Sequence, residues 1–279
     1  MRIALIADVH NNILALEAVM KAIRKHSPDM IISLGDQVNL GPCPRETLAL
    51  LAAEGVACLH GNHERYVLGA MAGDPGYAGA NFAAPRFNAS LLTPEQITFP
   101  KALQLEGVTF CHAMPDDDRF PVFEPERALP LLRQMAFDNP THIICGHGHN
   151  PTHVQSGHVT IDSIGSVGCM DDGVPGTSPY AILTLDHGQT ALRPYYVAYD
   201  TRRMKAVFRQ SGMVDACPVM SHLICLQMMF NRDYLVGFVA GAEHMSKSRG
   251  ENIISQKTWM DTDATFGWPD GVGTADFWK

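Results

Sequence analysis

The chain reads as an α/β protein built in layers, and three observations predict it. Residues 1 to about 60 alternate apolar runs with amphipathic stretches in a β-α-β-α-β rhythm. Several apolar runs end in Asp, Asn or His, as happens where sites gather at the carboxyl ends of parallel strands. After residue 150 strand signals dominate. With 279 residues, 46% of them hydrophobic and 18% charged, the chain can bury a sizeable core.

The elements follow in order. Ile3 to Ala7 is an unbroken apolar run and reads as the first strand. Asn12 can cap a helix whose apolar face is Ile13, Leu16, Val19, Met20 and Ile23. Met30 to Leu34 is the next strand; Pro44 starts a helix with Leu48, Leu51 and Ala52 inward, and the strand Val56 to Leu59 follows. Residues 69–107, rich in Gly, Ala, Pro and Asn, read as a loop or small cap. Strands resume at Val108 to Cys111 and His142 to Cys145, around a helix at Pro125 to Met135. Then come strands at His153 to Val154, Val159 to Ile161, Tyr180 to Leu185 and Ala191 to Ala198, and a helix at Thr201 to Gln210. From Gly212 to Lys279 no clear period emerges. The expected organisation is a main domain over 1–210 and an extension over 211–279.

Charge and cysteine use narrow the function classes. The net charge is −8, and all of it falls in residues 1–199, which carry twenty acids against twelve bases. That excess disfavours a long phosphate-backbone track, and with it a nuclease, but suits uptake of divalent cations. Seven Cys stand singly, without a C-x-x-C pair, which argues against a disulfide framework and a thiolate zinc site. Asp8 and His10 interrupt the N-terminal apolar run, and Tyr234 to Ala242 is too short to span a bilayer. A cytoplasmic protein without membrane contact is expected.

The chemistry sits at the strand ends. IALIA leads into Asp8-Val9-His10, MIISL into Gly35-Asp36, VACL into His60-Gly61-Asn62-His63, VTFC into His112, and HIIC into Gly146-His147-Gly148-His149. Carboxylate and amide oxygens mixed with imidazoles favour Mn, Fe, Co, Ni or Zn over Ca or a dedicated Mg site. Asp8-x-His10 would point two donors to one side if the backbone stays extended, and Gly148 would permit the sharp turn between two imidazoles. Seven candidate donors (Asp8, His10, Asp36, Asn62, His112, His147 and His149) exceed one tetrahedral ion and suit two divalent ions, with Asp36 as the natural bridge.

This series of blocks resembles the five-block signature of the calcineurin-like metallophosphoesterases. DVHNNILALEAVM and GDQVNLGPCPRE are similar to the opening and second blocks of its small bacterial and archaeal, diadenosine-tetraphosphatase-like phosphodiesterase branch. The resemblance covers roughly residues 1–210. It implies a four-layer αββα sandwich of two mixed β-sheets flanked by helices. It assigns Asp8, His10, Asp36 and His149 to one metal, and Asp36, Asn62, His112 and His147 to the other. It further implies a hydroxide activated by the two ions, His63 as the catalytic group acting on the leaving group, and Glu64 as the residue nearest in sequence to orient it. The implied substrate is a small phosphodiester or pyrophosphate-linked nucleotide. The alternatives are a phosphomonoesterase and a non-catalytic scaffold of the same fold. Loop residues 65–107 would set the substrate.

Departures from the family pattern are specific. Glu64 stands where this branch commonly has Asp. In the phosphoprotein phosphatases an Asp three residues beyond the G-D block partners the His, and here that position is Asn39. Ser163-Ile164 replaces the Asn-Pro of a family turn. His60, His142, His153 and His158 match no block and are expected to be structural, and Asp116 to Asp118 to form a solvated turn. His244-Met245-Ser246-Lys247-Ser248 is similar to the ATP-contacting loop of class I aminoacyl-tRNA synthetases, but no H-I-G-H block accompanies it, so it reads as chance. Residues 213–279 would serve as a homo-oligomer contact or a cover over the site.

Overall fold

The computed structural model describes residues 1–114, 118, 129–130, 133–134 and 140–279. β1 (Arg2–Ile6) shows why the apolar runs are continuous. Ile3 and Leu5 face a second sheet, while Ala4 and Ile6 lie under α1 (Ile13–Ile23), so both faces are buried. β1 pairs in parallel with β2 (Met30–Ser33), and β2 with β3 (Ala57–Cys58). The long strands β9 (Thr177–Asp186) and β10 (Gln189–Ala198) add antiparallel on the other side of β1, giving the order β10-β9-β1-β2-β3.

The second sheet has the order β4-β5-β6-β8-β7, from β4 (Ala102–Leu105), β5 (Val108–Cys111), β6 (His142–Cys145), β7 (Pro151–Ser156) and β8 (Val159–Ile164). β5, β6 and β8 run parallel, with antiparallel edges. Phe110, Ile144 and Ile164 meet Leu5, Leu34 and Leu183 between the sheets, and Ile143, Cys145 and Ile161 line the outer face. The expected sandwich of two mixed sheets is what the chain adopts.

Local signals worked where they were backbone chemistry. Asn12 Oδ1 accepts from Ala15 N–H at 3.1 Å, capping α1. Pro44 opens α2 (Pro44–Ala53), although Thr47 rather than Ala52 is buried with Leu51. Residues 69–107 hold more order than expected: α3 (Asn62–Met71) runs into them, and α4 (Ala83–Ala89) and β4 follow. Most of the helix expected at 125–135 lies outside the described residues, as do Asp116 and Asp117; Leu129, Pro130, Arg133 and Gln134 are helical.

The C-terminal third is helical despite its weak periodicity: α5 (Met204–Gln210), α6 (Met213–Ala216), α7 (Pro218–Phe230), α8 (Leu235–Ser248), α9 (Gln256–Thr265) and α10 (Thr274–Phe277). α7 is buried nearly all round, so it carries no one-sided stripe to read. Its apolar side chains share one cluster with Ala84 and Phe87 of α4, and with Phe208, Phe238 and Trp259. The His244 to Ser248 segment ends α8 as ordinary helix, not a loop. Among the described residues no helix is long and apolar enough to cross a membrane.

Candidate metal centre

The loops leaving β1 and β2 zip together, with Asp8 N–H donating to Gly35 C=O and His10 N–H to Asp36 C=O, both at 3.0 Å. This brings the donors of two strand ends side by side. They are not extended: Asp8, His10, Asp36, His147 and His149 all take left-handed backbone, with φ between 47° and 64°. The expected extended Asp8-x-His10 is therefore replaced by a tighter arrangement, and the sharp turn falls on His147 and His149 rather than on Gly148. Left-handed non-glycine residues cost of order 1–3 kcal/mol each and persist where function holds them. Gly35 (φ +100°) and Gly61 make the close approach possible. A Cβ on Gly35 would meet the His112 ring at 2.6 Å, and one on Gly61 would meet Asp36 Oδ1 at 2.1 Å.

Two donor groups form, Asp8 with His10 and His149, and Asp36 with His112 and His147; His63 also converges with His10 and Asp36. In the first, His10 Nε2 and His149 Nε2 lie 3.1 Å apart, with Asp8 Oδ1 3.9 Å from the latter. In the second, His112 Nδ1–H donates to Leu34 C=O at 2.9 Å, which turns Nε2 inward. The Asn62 side-chain amide there lies 2.8 Å from His112 Nε2, 3.0 Å from His147 Nδ1 and 3.3 Å from Asp36 Oδ2. Asp36 Oδ2 also lies 3.8 Å from His10 Nε2, so one oxygen borders both groups. Its partner Oδ1 accepts from the His63 N–H at the start of α3, at 2.8 Å.

Lone pairs that converge in this way need positive charge between them. Asp8 and Asp36 are fully buried and both border His112. Burial opposes the charged form of His112, yet these carboxylates push it up to about 10; against burial, Asp171 and Asp8 push His149 up to about 9. Burial raises Asp8 to about 6 and works the same way on Asp36, but His112, His63 and His10 hold Asp36 well below the usual carboxylate range. Divalent cations meet the same demand through the same lone pairs, so the donor set fits them. All seven expected donors thus meet at one rim.

Glu64 does not orient His63, which corrects the expected role. It is completely buried, and its carboxylate accepts from the backbone N–H groups of Asp36, Gln37, Val38 and Gly61 at 2.8–3.2 Å. Its work is to clamp the loop that carries Asp36 onto the start of α3. Burial and Asp36 push it up to about 8, against the pull of the Gly61 and Val38 amides. The partner of His63 is Asn39, whose Nδ2–H donates to His63 Nδ1 at 2.8 Å. Asn39 is held in turn by Asn88 of α4, whose Oδ1 accepts from the Asn39 N–H and from Asn11 Nδ2–H.

Other residues lie around this rim. Arg65 forks onto Asp118 at 2.6–3.1 Å and donates to Tyr77 Oη at 2.8 Å, so Asp118 is an ion-paired residue rather than a free solvated one. His142 and His153 both bind Asp162, at 2.6 and 2.7 Å, instead of joining a donor group. Sequence reasoning missed Asn88, which signals nothing locally, and Asp171, which accepts from His149 Nδ1–H at 3.2 Å.

Residues 1–166 match the family model described as calcineurin-like phosphoesterase. The chain belongs to that family. It is similar to the uncharacterized protein MJ0912 of Methanocaldococcus jannaschii, with 29% identity over 157 residues. That match spans 53% of this chain and 63% of the relative's own length, just under two thirds. Among solved structures it is similar to a metallophosphoesterase from Sphaerobacter thermophilus, with a TM-score of 0.63 and 25% identity over 82% of this chain and all of the other. The fold is also shared with the hypothetical protein PH1004 of Pyrococcus horikoshii OT3, at a TM-score of 0.62 and 15% identity, over 83% of this chain and 99% of that one.

Proposed function

We propose that the protein is a metal-dependent phosphodiesterase acting on small phosphodiesters or pyrophosphate-linked nucleotides. The observation that carries this reading is the pair of donor groups bordering the single oxygen Asp36 Oδ2, with His63 alongside. Asp8, His10, Asp36 and His149 would hold one divalent cation and Asp36, Asn62, His112 and His147 a second, which when bound would supply Lewis-acid activation of water and neutralisation of phosphoryl charge. Mn, Fe, Zn, Co and Ni all suit these donors.

The chain's own contribution is orientation and a hydrogen atom. Burial pushes His63 down to about 4, with Asp36 opposing, so at neutral pH the imidazole is uncharged and carries one N–H. Because Asn39 donates to Nδ1, that hydrogen sits on Nε2, which lies 3.9 Å from Asp36 Oδ2 and faces the metal rim. His63 therefore donates a hydrogen bond from Nε2 to the phosphoryl or departing oxygen. An uncharged amide partner does not favour the imidazolium in the way a carboxylate would.

An organic ester group finds an apolar wall beside His63. The Tyr66 ring lies 5.0 Å from it, and Tyr77 and Phe82 lie 5.7 and 5.8 Å from Tyr66. Such a wall would receive an organic group carried on one ester oxygen of the substrate.

The test is a hydrolysis panel in Mn, Co, Ni, Zn and Mg, with bis-p-nitrophenyl phosphate, p-nitrophenyl phosphate, cyclic nucleotides and dinucleoside polyphosphates. Turnover of diesters or dinucleoside polyphosphates above the monoester is expected. Faster monoester turnover overturns the substrate class, and metal-loaded protein that hydrolyses nothing makes the chain a scaffold.

A further inference from the structure

The C-terminal helices reach the metal rim through one polar chain. His149 Nδ1–H donates to Asp171 Oδ1 at 3.2 Å, and Gln227 Nε2–H donates to the same oxygen at 3.0 Å. Asp171 stands on a turn after β8, with 40% of its side chain exposed, so its bond to His149 alone would leave its rotamer weakly fixed. Gln227 is the opposite: 2% exposed, in the last turns of α7, among apolar side chains. A buried amide donor that lost its acceptor would incur its full desolvation cost, so the pairing holds Asp171 as well as satisfying Gln227.

The end of α7 is seated on this turn by further bonds. Asp233 N–H donates to Asp171 C=O at 2.9 Å and Gly173 N–H to Asn231 C=O at 2.9 Å, while Asn231 Nδ2–H donates to Val174 C=O and Thr177 C=O. Asn231 takes the left-handed conformation (φ 49°) that ends the helix where this seat begins. Met228 packs against Gly41, in the loop that carries Asp36. The helix is thus anchored on two loops of the rim.

We propose that Gln227 is a positioning residue for the metal centre: through Asp171 it holds His149 so that Nε2, not Nδ1, is turned toward Asp8 and His10. Histidine ligands commonly depend on such a partner at the far nitrogen, and its removal costs about 10–100-fold in metal affinity. The C-terminal region then belongs to the working centre rather than covering it. This inference rests on the metal-dependent reading above.

The experiment is Mn(II) binding to the full chain, followed by electron paramagnetic resonance, with thermal unfolding as a check of folding. Asp171→Ala is expected to weaken binding about tenfold or more, and Gln227→Leu about three- to tenfold. In the Asp171→Ala background, Gln227→Leu is expected to add nothing further, because the two act through one contact; a purely structural role would give additive losses. Gln227→Glu, of the same size, places a carboxylate against Asp171 and keeps the test open if the leucine variant does not fold. Wild-type affinity in a folded Gln227 variant, or additive losses in the double variant, overturns the proposal. Wild-type protein that binds no Mn(II) overturns the metal-dependent reading itself.

Discussion

The metal rim and the C-terminal helical cluster are both buried, yet they are built on opposite terms. At the rim, Asp8, Asp36 and Glu64 are buried carboxylates, and donor residues hold left-handed backbone. In the helical cluster, Phe238 is wholly buried edge-on against Trp259 and Phe266, with ring centroids 4.7 and 5.0 Å apart, among Met and Leu side chains. The first arrangement spends stability to concentrate charge, and the second supplies stability. They should therefore respond differently to the same kinds of perturbation.

The largest separation is expected from single truncations. His63→Ala should lower kcat by about 10²–10⁴-fold in the metal-loaded protein, with Mn(II) affinity and thermal stability little changed. Full activity in that variant would remove His63 from the chemistry. Phe238→Ala should do the reverse, costing about 3–5 kcal/mol in denaturant unfolding while the folded fraction keeps its metal affinity. A loss under 1 kcal/mol would show that the cluster is not a tightly packed core.

Metal addition should act on the rim alone. Mn(II) at about a hundred times its Kd is expected to stabilise the protein by about 2.7 kcal/mol, and a chelator to remove that gain. The same experiment on Asp36→Asn should show little gain, since the oxygen bordering both donor groups is weakened. A full gain there would break the assignment of Asp36 as the shared donor.

The narrowest window belongs to the helical cluster and to pH. His222 is completely buried between Trp268 and Phe277, with ring centroids 3.8 and 3.9 Å away. Burial pushes it down to about 4, with Asp270 pulling the other way and Lys205 adding to the depression. The folded value lies below the unfolded one, near 6.5, so the unfolded chain binds the extra proton between these values. The stability owed to neutral His222 is full above about 6.5 and is lost as pH falls toward 4, by at most about 1.4 kcal/mol per pH unit. His222→Phe should flatten the pH dependence of Tm in that window; an unchanged slope would place the titration elsewhere.

Much of the rim was legible because its signal is chemical and local. An apolar run followed by Asp, Asn or His marks a parallel strand and its carboxyl end, whatever the loop geometry. The five blocks therefore point to the α/β layers and to the Asp, Asn and His side chains that converge at the rim. The partner of His63 was a different matter. Glu64 is adjacent in sequence, but α3 begins at Asn62, so its side chain turns back onto the Gly61 amide and the Asp36 loop. Asn39, 24 residues away in sequence, arrives instead on the loop after β2.

By itself, then, the sequence determined the donor types, their order along the chain and the sheets that carry them, because strand periodicity and residue chemistry are local properties. Only the tertiary structure decided that Asn39 rather than Glu64 faces His63, that Asp171 and Gln227 stand behind His149, and that residues after 212 form helices around a shared core with α4. Helices buried on every side carry no amphipathic period, and a hydrogen bond between Gln227 and Asp171, 56 residues apart, exists only once both backbones are in place.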